Sequence, residues 1–114
     1  MTYPQDSTTL PQSIAERFAV FHHKSPEVYS TLVALARQWV AATGRRRLGI
    51  ATLYERARWE LAVSTSDPDF KLNNSYRAYY ARLIMIREPD LADLFETRKS
   101  EADNWIVPAP RVTS

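Results

Sequence analysis

The chain predicts a mainly α-helical fold: a single domain of about five helices with a minor two-stranded, wing-like element. Three observations carry this reading. Helix-start chemistry recurs at Ser13, Ser25-Pro26, Asn73-Asn74 and Pro89-Asp90. Apolar residues follow these starts at helical rather than alternating spacing. A length of 114 residues with 45% apolar and 25% charged side chains suits one core and leaves no length for a second.

Residues 1–11 are polar, carry Pro4 and Pro11, and read as a flexible arm before a helical domain over 12–104 and a tail over 105–114. Ser13-Ile14-Ala15-Glu16 has the capping-box pattern, in which hydroxyl and carboxylate each satisfy a free N–H at a helix start. Ile14, Phe18 and Phe21 follow, and this first helix is expected to end near His22. Ser25-Pro26-Glu27 starts the second: a hydroxyl cap, a proline where no N–H is needed, and an acid against the dipole. That helix runs through Leu32, Leu35 and Trp39 to Gly44, a left-handed terminator.

Residues 45–49 connect to a third helix over 50–63, whose Ile50, Leu53, Tyr54, Ala57 and Leu61 fall within about 100° of arc. Residues 64–72 read as a loop around Asp67-Pro68-Asp69, with Phe70-Lys71-Leu72 and the Arg45 connector as the candidate strands. Asn73 or Asn74 caps a fourth helix that stops before Pro89. This helix carries Tyr76, Tyr79, Tyr80, Leu83, Ile84 and Ile86 on one broad face and Ala78, Ala81 and Met85 on the other, as a central helix does. Pro89-Asp90 then starts a fifth, with Leu91, Leu94 and Phe95 inward. The expected core is Phe18, Phe21, Leu32, Leu35, Trp39, Ile50, Leu53, Ala57, Leu61, Tyr80, Leu83, Leu94 and Phe95.

Composition excludes several functions. The absence of Cys removes disulfides, thiolate metal sites and cysteine nucleophiles, and favours a reducing compartment. Only Gly44 and Gly49 are present, too few for a phosphate-cradling loop or dinucleotide fingerprint. With no long apolar run and no signal-like start, a cytoplasmic protein without a membrane partner is expected.

The remaining catalytic and metal candidates fail on spacing. His22-His23 point about 100° apart on a helix and cannot chelate one metal together. Asp67-x-Asp69 begins like a calcium loop, but Lys71 and Ala78 occupy ligand positions. Glu55 and Glu60 lie about 140° apart around a helix and form no acid/base pair. Arg56 and Glu60 suit an i, i+4 ion pair. The reading is therefore non-enzymatic, with no catalytic residue, metal or cofactor.

Binding has more support, because charge is segregated along the chain. Net charge is −1 over residues 1–36, +6 over 37–87 and −4 over 88–104, with Arg111 completing a total of +2. A basic middle beside an acidic end means either a phosphate-facing surface or two segments that attract each other within the fold. In the first case Arg45, Arg46 and Arg47 neutralise DNA phosphates, with Arg56, Lys71, Arg77 and Arg82 at the margins, in the manner of a helix-turn-helix variant. The long loop and the apolar fourth helix count against that variant.

Protein contact is the alternative, with Trp59 and Val63 opposite the apolar stripe of the third helix as anchor. In a five-helix domain a Trp59 covered by another helix or by the N-terminal arm is favoured over an exposed one. Ala78 and Ala81 permit close helix approach, within the domain or across a homodimer axis, and Trp105-Ile106-Val107 must dock or stay wet.

Several phrases resemble a group of small, uncharacterised proteins encoded by bacteriophages and prophages. They are Arg17-Phe18, Phe21-His22, Pro26, Val28-Tyr29, Arg58-Trp59, Thr65, Phe70-Lys71-Leu72-Asn73-Asn74, Tyr79-Tyr80-Ala81-Arg82, Pro89, Leu94-Phe95 and Arg98. The resemblance covers residues 17–98 and assigns no activity or site residue. It implies a phage accessory protein in the host cytoplasm, concerned with regulation, DNA transactions or interference with a host protein; the reading adopted puts DNA first and a host protein second.

Overall fold

Caps and apolar spacing produce four α-helices and two 3-10 turns in the computed structural model, which describes residues 13–96. α1 spans Ile14–Lys24, α2 Pro26–Thr43, α3 Ile50–Ser64 and α4 Arg77–Arg87, and the 3-10 turns are Asn74–Tyr76 and Pro89–Leu91. The expected arm and tail lie outside the described residues. The fold is mainly helical, as the sequence predicts, and the described residues contain no strand.

Local signals act where they are read. The Ser13 hydroxyl accepts the Glu16 N–H at 3.1 Å while the Glu16 carboxylate accepts the Ser13 N–H at 2.9 Å, closing the capping box. Gly44 ends α2 at φ 71°, a conformation that glycine adopts without strain. Ser25 departs from expectation: its hydroxyl caps nothing, because its backbone is already committed to ending α1 through a 2.8 Å bond from its N–H to the Phe21 carbonyl. Asn73 caps the first 3-10 turn by accepting the Ser75 N–H at 2.8 Å.

The helices close around an aromatic centre. α2 packs on α3, α1 packs on α2, and α4 touches α2, α3 and both 3-10 turns, which makes it the central helix expected. Phe18 of α1 is fully buried, its ring centroid 4.7 Å from Tyr80, 5.4 Å from Tyr79 and 5.7 Å from Tyr76. Of the expected core, Phe18, Leu32, Leu53, Ala57, Leu61, Tyr80, Leu83, Leu94 and Phe95 are buried. Phe21, Leu35, Trp39 and Ile50 sit half-buried at its edge.

Three expectations are corrected among the described residues. Pro89-Asp90 opens one 3-10 turn and not a fifth helix: the Leu94 carbonyl accepts the Leu48 N–H at 3.0 Å, so Leu91, Leu94 and Phe95 are buried by turns. The wing is absent because its two segments bond elsewhere. Leu48 pairs with Leu94, and the Leu72 carbonyl accepts Arg58 at 2.7 Å. Ile86 is exposed and not inward, whereas Ala81 is buried within the domain, the first of the two placements its small face allows.

Two tyrosine hydroxyls in this core have opposite standing. Tyr54 donates to the Asn73 carbonyl at 2.6 Å, whereas the buried Tyr80 hydroxyl has no hydrogen-bond partner among the described residues. An unpaired buried polar group costs about 1–3 kcal/mol, so Tyr80→Phe is expected to leave the urea midpoint unchanged or raise it. Tyr54→Phe, which removes this bond but leaves the Asn73 carbonyl its 3.1 Å bond from the Tyr76 N–H, is expected to lower it.

His22 stacks on Phe18 at 5.8 Å and meets Tyr29 and Tyr80 edge-on, so it is a packing residue. Burial, with help from the charges of Arg87 and His23, holds its pKa below the usual histidine value. The unfolded chain therefore binds this proton more readily than the fold does. His22 contributes no loss above about pH 6.5, stability falls as pH drops below that value, and the loss levels off beneath the folded pKa. Urea unfolding at pH 7.5 and 5.5 is expected to show a fall that His22→Phe removes. Asp90, held low by its hydrogen bonds from Arg37, titrates in a separate window below the ordinary carboxylate range.

Candidate functional site

The basic middle and the acidic end of the chain meet. Arg37 on α2 makes a two-pronged contact with Asp90, Nε and Nη2 each at 2.9 Å, and its Nη2 also donates to Glu88 at 2.7 Å. Glu88 accepts the Tyr29 hydroxyl at 2.8 Å, so one carboxylate ties the second 3-10 turn to two positions on α2. In the connector, Arg46 reaches the Asp90 carbonyl at 3.0 Å and Asp93 at 3.4 Å, and Arg47 reaches Glu96 at 3.8 Å. Solvent screens these pairs, most of which lie at the surface, so they add little to stability. Their consequence is electrostatic: the charge blocks along the sequence largely cancel in space.

The other bases divide between internal clamps and a rim. Arg58 donates to the Leu72 carbonyl and the Asn74 side chain, pairs with Glu55, and lies 5.6 Å from the Tyr54 ring. It is the residue that sequence reasoning missed: it fixes Leu72-Asn73-Asn74 against α3, and only an arginine's fork explains all three contacts. Arg77 donates to the Asn74 carbonyl at 3.3 Å and Arg82 to the Ala78 carbonyl at 3.0 Å. Both line a cleft of about 470 Å³ with Gly49, Ile50, Ala51 and Glu96 at the start of α3. Arg45 and Lys71 are exposed and make no ion pair among the described residues. The seven bases expected to contact DNA are thus spread over the connector, α3, the 64–73 loop and α4, and Arg46, Arg47 and Arg56 are already paired with acids.

The outward face of α3 is different. Trp59 is 62% exposed and Val63 68%, so no described helix covers Trp59. Trp59 leans on its own helix: the Arg56 guanidinium lies 5.7 Å from its ring while pairing with Glu60 at 3.0 Å. Arg56 also borders a groove of about 240 Å³ between α2 and α3, floored by Leu35, Trp39, Leu48 and Leu53. Arg56 thus stands between the exposed Trp59 and Val63 on one side and the apolar groove on the other, which neither of them lines.

No family model matches the chain, and no match is found among curated proteins or solved structures.

Proposed function

We propose that this chain is a non-enzymatic accessory protein of phage type that acts by binding a host protein through the outward face of α3. The observation that carries the reading is the exposure of Trp59 and Val63 together, one turn apart on one face. Tryptophan supplies large apolar area at low conformational cost, and residues of this kind dominate binding energy when a partner buries them. The fitting partner presents an apolar segment; Arg56 beside the face is held by Glu60, and the exposed Lys71 in the cleft beside Ala62 adds one cation.

Trp59→Ala is expected to leave stability within about 0.5 kcal/mol, as exposed substitutions do, while abolishing partner capture. Tagged wild type and Trp59→Ala, carried through the same host lysate, give the test. A captured species that disappears with Trp59→Ala supports the reading, and identical capture by both overturns it.

A DNA reading has one specific observation in its favour. Arg77 and Arg82 flank the start of α3, where Gly49 provides no side-chain cap, and Arg45 and Lys71 add charge that meets no acid among the described residues. Phosphate binding of that kind must weaken by orders of magnitude between about 50 and 200 mM salt. Titration against a labelled mixed-sequence duplex across that interval, with Arg45→Ala and Arg77→Ala as variants, decides it. The protein-partner reading expects no such binding.

A further inference from the structure

We infer that the chain carries its own occupant for the α3 face, the segment Trp105-Ile106-Val107, which covers Trp59 and Val63 and competes with the partner. The inference rests on the reading of that face as a contact surface. The 18 residues that follow Glu96 contain one apolar triplet, Trp105-Ile106-Val107, and two acids just before it, Glu101 and Asp103. The face offers Trp59 and Val63 to the triplet, and because Arg98 and Lys99 balance the two acids the match is apolar and not electrostatic.

The point of departure allows it. Glu96 shares the cleft with Gly49, Ile50 and Ala51, so the chain leaves the described fold beside the first turn of α3. Trp59 lies nine residues along that helix, about 14 Å at 1.5 Å per residue. Trp105 lies nine residues beyond Glu96, a reach of about 30 Å when extended. The segment can therefore pass along α3 and set its triplet on Trp59 and Val63 with length to spare. The residues between, 97–104, are mostly polar or charged and offer no competing apolar group larger than Ala102.

Because the chain has no cysteine, disulfide trapping reports this contact without background. The full-length variant Val63→Cys with Ile106→Cys is oxidised mildly at low micromolar concentration. Ile86→Cys with Ile106→Cys and Val20→Cys with Ile106→Cys are the reference pairs, all three partners being exposed positions. A tethered cysteine meets any surface thiol at some rate, so the comparison between pairs carries the result. The expected result is a monomeric, concentration-independent disulfide that forms at least about tenfold faster at position 63 than at 86 or 20. Equal rates at the three positions overturn the inference, as does a 63–106 bond found only in covalent dimers. Circular dichroism establishes that each variant is folded. Trapping requires no partner, so its failure leaves the Trp59→Ala capture result standing, and failure of capture leaves a positive trap standing.

Discussion

Phe18→Ala is expected to cost about 3–5 kcal/mol, the range for truncating a fully buried aromatic ring, and to lower the urea midpoint accordingly. The ring is inaccessible to solvent and meets Tyr76, Tyr79, Tyr80 and His22. It is the means by which α1 attaches to α4, so its loss removes transfer energy and leaves a cavity among rings that cannot all move inward. Against a typical domain stability of about 5–15 kcal/mol this is a large fraction. Phe18→Leu keeps part of the volume and is expected to recover part of the loss. An Ala variant within about 1 kcal/mol of wild type would show that α1 is not anchored as described.

Arg58→Ala is expected to be the second largest effect, about 2–3 kcal/mol, because hydrogen bonds to a charged group contribute more than neutral ones and the Leu72 carbonyl loses its donor. The guanidinium joins α3 to the Leu72-Asn73-Asn74 segment that starts the first 3-10 turn and α4. Arg58→Lys keeps the charge but not the fork, and is expected to recover less than half of the loss. Chemical denaturation of the three proteins at one pH measures this. Equal stability of Arg58→Lys and wild type would mean that charge alone holds the segment.

The limits of sequence reading follow from these same residues. Ser13, Pro26, Gly44 and the α3 stripe were legible because caps and 3.6-residue periodicity are local, decided within one or two turns. Leu48 and Leu72 were not: both are buried in irregular segments, where no period marks an inward position. The fifth helix had a valid start signal at Pro89-Asp90, but a long-range bond from Leu48 claims the Leu94 carbonyl and the chain turns instead.

Charge followed the same rule. The basic and acidic blocks were visible in the sequence, while the pairing of Arg46 with Asp93 and Arg47 with Glu96 spans more than forty positions and follows from the fold alone. The periodicity set Trp59 opposite the core stripe, and whether another helix covered that side was a tertiary question. No described helix does. Arg58, adjacent to Trp59 and five residues from Val63, had one signal in the sequence, its place in the same phrase as the exposed tryptophan.

The proposed function requires that α3 presents a contact face and not a misplaced core residue. The most direct test measures urea unfolding and partner capture on one preparation of Trp59→Ala Val63→Ala beside wild type. Unfolding free energies within about 1 kcal/mol, together with loss of a species that wild type captures, are the result this account predicts. Destabilisation of about 3 kcal/mol or more with capture retained would contradict it, placing both side chains in the core and the binding surface elsewhere.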